Sequence, residues 1–129
     1  MSSTREDRLV EAAAGTRAHA VCGRSGFAVG AAVESEDGTL FGGCNVENST
    51  YGLTVCAERV ALWKALSEGK RRFSAVAVVT GADEPTPPCG ACRQVLWELA
   101  GDVPIVSATT GGKRARWRLS ELFPYPFEF

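Results

Sequence analysis

The sequence predicts an α/β fold: a three-layer α-β-α sandwich in which helices cover a mixed sheet of about five strands. Three observations carry this. Helical and strand-like stretches follow one another in the order α-β-β-α-β-α-β-β, the alternation that lays helices on a sheet. Asp37-Gly38 lies between two apolar runs and marks a tight hairpin. Residues 74–80, SAVAVVT, are nearly continuously apolar, as a strand covered on both faces is.

Each element has its own local reason. Ser3 and Glu6 form a capping-box pattern, and Leu9, Val10 and Ala13 recur at helical spacing, which predicts a helix over 4–18. Residues 27–33 and 40–44 are the hairpin strands, because Asp-Gly tolerates the positive φ of the turn. Over 55–68, Ala57, Val60, Ala61, Lys64, Ala65 and Leu66 favour helix, and Gly69 suits its C-terminal cap. Residues 74–80 are the third strand, and Glu84-Pro85-Thr86-Pro87-Pro88 is a loop. A helix over 90–100 stops at Gly101, and strands 103–109 and 114–119 flank Gly111-Gly112. There is no repeat or linker, and 129 residues fall below the roughly 150 of a one-domain prior, so a single domain over 1–129 is expected.

Composition narrows the function classes. With 45% apolar and 22% charged residues, the chain is not a disordered one. Fourteen basic and fifteen acidic side chains give a net charge of -1, so a polyanion meets no global attraction. His19 is the single histidine, which excludes a poly-His metal site. The first residues are charged and lack an apolar segment, and no apolar stretch approaches the roughly 18 residues of a membrane span. A cytoplasmic protein with no membrane partner is expected. Five cysteines, an odd number with no export signal, point to metal or thiol chemistry rather than a disulfide framework.

Cys89-Gly90-Ala91-Cys92 puts two thiols one helical turn apart on the same side. Alone, this reads as a redox dithiol or as half of a structural zinc site. Val55-Cys56-Ala57-Glu58, at the start of another helix, adds a third thiol and an acid that redox chemistry does not need. Three thiolates bind Zn²⁺ and leave a fourth tetrahedral position open, as a catalytic zinc requires. Cys22, Cys44 and His19 are poor candidates for a fourth ligand. Both clusters fall at helix N-termini, where free N–H groups and the dipole favour thiolate. Glu58 over the open position is suited to take a proton from water and deliver it to a substrate; its ordinary reading is a first-turn acid favoured by the dipole. Arg59 and Arg93 each follow a cysteine and are candidates to hydrogen-bond the sulfurs, or simply to cover the helix surface.

Cys56-Ala57-Glu58-Arg59 together with Pro88-Cys89-Gly90-Ala91-Cys92-Arg93-Gln94 resembles the zinc signature of the nucleoside cytidine deaminases. Gly43-Cys44-Asn45-Val46-Glu47-Asn48 resembles that family's nucleoside-binding segment, and the likeness spans roughly residues 25–127. The resemblance implies one Zn²⁺ per chain on Cys56, Cys89 and Cys92. It implies hydrolytic loss of the 4-amino group of cytidine or 2′-deoxycytidine as ammonia, a pyrimidine-salvage reaction. Glu58 would carry the water proton to ring nitrogen 3 and then to the leaving group. Asn45 and Glu47 would hold the ribose hydroxyls, and Phe27 would pack on the pyrimidine. Tyr51 and Phe127 would line the sites of neighbouring subunits in a homotetramer with shared active sites.

The chain departs from the family at Val21-Cys22-Gly23-Arg24, where Tyr-Ser-Pro-Tyr is usual. The family places this segment by the sugar's 5′ end, so a looser, roomier wall is expected. Arg24 there suits a phosphate or carboxylate, or else points into solvent. Phe123, Tyr125, Phe127 and Phe129 make the C-terminal tail more apolar than a free tail tolerates, which implies burial against a partner. A deaminase of a modified or antibiotic cytosine nucleoside, or of a nucleotide, remains an alternative. A deaminase of bases within nucleic acid is opposed by the charge; Arg114, Arg116 and Arg118 alternate with Ala115, Trp117 and Leu119 and read first as a solvated face over a buried one. A non-catalytic zinc module is opposed by Glu58 and the open position.

Overall fold

The computed structural model describes residues 4–128. Helix α1 is Thr4–Arg17, strands β1 and β2 are Val29–Ser35 and Leu40–Cys44, and a 3₁₀ turn covers Tyr51–Leu53. Helix α2 is Ala57–Ser67, β3 is Phe73–Thr80, and α3 is Gly90–Ala100. Strands β4 and β5 are Pro104–Thr109 and Arg114–Arg118, and the short helix α4 is Leu119–Leu122. The strands form one five-stranded sheet in the order β2-β1-β3-β4-β5. Only β3 and β4 are parallel, as their connection through α3 requires; the other pairs are antiparallel.

Side-chain alternation divides the sheet between two cores. Ala31, Val33, Phe41, Val76 and Ile105 pack with Ala57, Ala61 and Leu62 of α2 and Leu96 of α3. Ala32, Ala77, Val79, Val106 and Ala108 face Leu9, Val10 and Ala13 of α1. The three layers expected from the sequence are therefore α1, the sheet, and α2 with α3.

Two glycines bring the helices down onto the hairpin backbone. A Cβ at Gly30 would lie 2.0 Å from the carbonyl oxygen of Ala13 in α1. One at Gly43 would lie 2.5 Å from the amide of Ala61 and 2.8 Å from the carbonyl of Ala57, both in α2. Gly43 thus sets how closely the first turns of α2 approach the sheet.

The boundaries differ from expectation for identifiable reasons. Phe27 and Ala28 lie outside β1 because the Asn45 side chain takes the Phe27 carbonyl and the Val29 amide. Helix α2 begins at Ala57 rather than 55, because Val55 exchanges two backbone hydrogen bonds with Val46, both 2.9 Å. Leu119 opens α4 instead of ending β5: its amide donates to Val103 at 3.0 Å, and Glu121 accepts the Arg118 amide at 2.8 Å. The 3₁₀ turn and α4 are too short for periodicity to mark. In the expected capping box, Ser3 lies outside the described residues, and Glu6 serves another purpose.

Glu6 accepts from Arg116 Nε at 2.6 Å and Nη2 at 2.7 Å, and from Arg114 Nη1 at 2.8 Å. Asp7 also accepts from Arg114, at 2.9 Å. Arg118 donates to the Asp102 carbonyl at 2.6 Å. The three arginines of β5 lie on the exposed face expected of them, alternating with the less exposed Ala115 and Trp117, and are engaged there with acidic residues and backbone of the same chain. A cavity of about 510 Å³ opens at this end of the sheet, between Leu9, Glu34, Val106 and Trp117. It shares no residue with the cysteine motifs.

The Arg116 guanidinium, with help from Arg114, holds the Glu6 carboxyl below its ordinary value of 4.5 against a smaller opposing effect of burial. A carboxyl with a lowered folded pKa contributes stability that is whole above 4.5 and is lost as pH falls from there through the folded value. Glu6→Gln should therefore lower the urea midpoint at neutral pH, with the gap to wild type closing in acid. A gap that stays constant down to pH of about 3 would contradict the assignment.

Candidate metal and catalytic centre

The strand register places the start of β1 and the ends of β2, β3 and β4 at one end of the sheet: Gly30 pairs with Cys44, Val29 with Thr80, and Thr80 with Thr109. The N-termini of α2 and α3 open at this end, outside the carboxyl ends of the parallel pair, where open α/β sheets place their sites. Cys56 and Cys89 are the N-cap residues of the two helices, both in extended backbone, and neither side chain is used as a cap. Their sulfurs are thereby left to each other and to Cys92. The Cys56 and Cys89 sulfurs are 3.7 Å apart, and all three sulfurs lie within 4.8 Å of one another.

Position in the helix alone would not fix Cys89. The Pro-rich loop before it is pinned from both sides of Thr86: its hydroxyl lies 3.1 Å from the Thr80 hydroxyl, and its carbonyl accepts from Ser107 Oγ at 2.7 Å. Thr80 and Ser107 are fully buried polar residues in otherwise apolar strands. These two hydroxyls were not singled out in the sequence; a polar residue inside a buried strand is the signal that marks them.

The electrostatics of the thiols call for a cation. A thiolate at Cys89 is stabilised chiefly by the Cys56 thiol and then by the Cys92 thiol, which holds its pKa well below the ordinary 9.0. The same proximity raises Cys56, mainly through Cys89, and raises Cys92 through Cys56, Cys89 and burial. Three thiolates cannot coexist here without positive charge between them. The donor set, three soft sulfurs at mutual distances suited to one tetrahedral ion, fits zinc. Arg59 supplies further positive charge, donating from Nη2 to the Cys56 sulfur at 3.4 Å.

Glu58, in the first turn of α2, is only 5% exposed. Burial pushes its carboxyl up from 4.5 to about 7, and the charge at Cys89 adds to the rise. Among the described residues it is a nearly enclosed acid, poised near neutrality beside the thiols.

A second group lies across the Val46–Val55 pairing that leads into Cys56. Asn45 is buried and its amide is spent on backbone: Oδ1 accepts from Val29 N at 2.8 Å, and Nδ2 donates to Phe27 O at 2.9 Å and to Glu47 Oε2 at 3.4 Å. Glu47 accepts from the amides of Arg24 at 3.0 Å and Ser25 at 2.9 Å and from the Ser25 hydroxyl. The turn is closed by Gly26 N donating to Cys22 O at 2.7 Å, and Val21 pairs with Val46. Backbone hydrogen bonds at Val21, Cys22 and Arg24 fasten the segment expected to be a looser wall. Ser25 and the Glu47 carboxylate complete the turn. The Arg24 guanidinium is exposed and has no partner among the described residues.

Tyr51 and Phe127 are 77% and 62% exposed. Phe123 packs against the core of its own chain, which corrects the expectation for that member of the aromatic tail; Phe129 lies outside the described residues. Arg93 also departs from expectation. It donates to the carbonyls of Pro88 and Leu122 rather than to a sulfur.

Comparison with known proteins decides the family. The model of the cytidine and deoxycytidylate deaminase zinc-binding region matches residues 3–108. The chain belongs to the cytidine and deoxycytidylate deaminase family. It is 43% identical to a cytidine deaminase of Sporosarcina psychrophila, over 94% of this chain and 90% of that protein. It is 46% identical to one from Halalkalibacterium halodurans, over 92% and 91%. The crystal structure of cytidine deaminase from Burkholderia pseudomallei superposes with a TM-score of 0.92 at 43% identity, covering 98% of this chain and 100% of that one. The mixed five-stranded sheet with α1 on one face and α2 and α3 on the other is thus the deaminase fold.

In this deaminase family member, the buried Asn45 side chain binds the backbone of Phe27 and Val29. Asn45→Ala leaves an amide and a carbonyl without partners and should lower the unfolding free energy by about 1–3 kcal/mol in urea titration. A loss below about 0.5 kcal/mol, as for a surface site, would refute this role.

Proposed function

We propose that this chain, acting as a single domain, catalyses hydrolytic deamination of cytidine and 2′-deoxycytidine to uridine and 2′-deoxyuridine with release of ammonia. The observation that carries this is Glu58, a buried acid beside three clustered thiols, in a chain of this family. Cys56, Cys89 and Cys92 would hold one zinc. Bound there, the ion would supply a water whose pKa is lowered from about 15.7 toward about 7. Glu58, itself near neutrality, takes a proton from water and gives it to ring nitrogen 3, then takes the remaining proton of the hydroxyl newly bonded to ring carbon 4 and passes it to the departing nitrogen. The water oxygen bonds to ring carbon 4, the bond from carbon 4 to the amino nitrogen breaks, and no electron donor or acceptor is needed. Arg59, donating to the Cys56 sulfur, offsets the net negative charge of three thiolates on one divalent ion.

Phe27, 40% exposed, packs on the pyrimidine. Glu47 and the free lone pair of Asn45 Oδ1 accept from the ribose hydroxyls; the amide hydrogens of Asn45 are already engaged. Arg24, with its guanidinium free on a fastened turn, faces the 5′ end of the sugar. A free nucleoside fits better than nucleic acid, since the arginines of β5 are ion-paired within the chain. The enzyme works in the cytoplasm, in pyrimidine salvage, as a homotetramer with shared sites; no described helix is long and apolar enough to cross a membrane. Val21, Val46, Tyr51 and Leu53 are exposed apolar side chains on the segments around the centre, and with Phe127 they are the surface that neighbours cover.

Ammonia release from cytidine tests the central reading. Wild type should turn over, and Glu58→Gln should keep zinc while losing about 10²- to 10⁴-fold in kcat. Alanine at Cys56, Cys89 or Cys92 should cost zinc, read by elemental analysis. Full zinc in all three variants, or near-normal turnover in Glu58→Gln, would sink the assignment. For Arg24, the ratio of kcat/KM for cytidine 5′-monophosphate to that for cytidine should fall in Arg24→Tyr; an unchanged ratio removes Arg24 from the site. Sedimentation velocity should give a tetramer, and a fully active monomer would overturn the shared-site arrangement. Growth of a pyrimidine-requiring, deaminase-deficient strain on cytidine should be restored by this chain, and failure despite soluble expression would count against salvage.

A further inference from the structure

Two consecutive side chains of α3 reach toward the C-terminal segment. Arg93 Nε donates to the Pro88 carbonyl at 2.7 Å, and its Nη1 donates to the Leu122 carbonyl at 2.7 Å. Gln94 Nε2 donates to the Phe127 carbonyl at 3.0 Å. Pro88 is fully buried and directly precedes Cys89. Leu122 and Phe123 pack against the core beneath α2 and α3. One end of the Arg93 bridge is therefore anchored in the core, and the other holds the backbone that presents Cys89.

The chemistry of arginine suits this span. A planar guanidinium donates in two fixed directions from one rigid group, whereas a lysine ammonium is a single point on a flexible stem. Both bonds are charge-assisted, and removing the cation leaves two carbonyls without this donor.

We propose that Arg93 is a positioning residue: it fastens the loop that carries Cys89 to the C-terminal segment at Leu122, so that metal retention and the seating of that segment depend on one guanidinium. The metal half of this statement rests on the zinc reading above; the tail half does not.

The test compares zinc-loaded wild type, Arg93→Ala and Arg93→Lys. Zinc release to a metallochromic chelator should be about 10- to 100-fold faster in Arg93→Ala, the range for residues that orient a metal ligand. Arg93→Lys, which keeps the charge and reaches one carbonyl, should fall between, and it carries the test if the alanine variant does not fold. Amide exchange over residues 122–128 should rise in the same order. Millimolar methylguanidinium should slow zinc release from Arg93→Ala and leave wild type unchanged; as a weak denaturant it would not reverse a general loss of stability. Equal release rates in all three proteins, or release from Arg93→Ala that methylguanidinium does not slow, would overturn the proposal. Unchanged exchange over 122–128 overturns it even if wild type holds no zinc, an outcome that would separately defeat the zinc reading.

Discussion

Three sulfurs that all become anions repel one another, and much of this molecule is arranged to keep them within 4.8 Å regardless. The sulfurs arrive from two helices separated in sequence by a whole strand and a long loop. Gly43 lets α2 settle against the hairpin, and Thr80 and Ser107 hold the loop ahead of α3 through Thr86. Each device fixes a helix N-terminus, and the N-caps are the cysteines themselves. Arg59 and the helix dipoles supply the positive potential that such a cluster needs. The same enclosure buries Glu58 and makes a carboxylic acid that holds its proton near neutral pH.

Around this centre the polar groups that fasten loops lie at the ends of apolar strands. Asn45 stands where β2 ends and replaces a strand partner for Phe27 and Val29. Glu47 gathers the amides of Arg24 and Ser25 as a helix N-cap would. A carboxylate that already accepts from four donors is rigid; on the proposed function, a sugar hydroxyl would find there an acceptor whose direction is set beforehand.

The layers were legible because apolar periodicity records which face is covered, and residues 74–80 announce a strand buried on both sides. The three cysteines and Glu58 were legible because their chemistry needs few residue types at fixed spacing. Polar partnerships were not. Arg93 follows a ligand cysteine just as Arg59 does, and nothing in sequence tells that one guanidinium meets a sulfur and the other two carbonyls. The run Val21–Arg24 reads as slack because the residues that tie it, Asn45 and Glu47, stand more than twenty positions away. The arginines of β5 are exposed as the alternation indicates, but their acidic partners stand at the other end of the chain and could not be read from it.

That last separation bears on how the molecule is made. Glu6 and Arg116 are 110 positions apart, and their ion pair closes α1 over the last strand of the sheet. At translation rates of about 5–20 residues per second, α1 waits on the order of ten seconds before its partner strand exists. In that interval the apolar stripe of Leu9, Val10 and Ala13 is covered piecemeal, by the β1–β2 hairpin and later by β3 and β4. The nascent chain therefore carries an unfinished flank through most of its synthesis, and the charges on Glu6 and Asp7 keep that flank hydrated until Arg114 and Arg116 emerge.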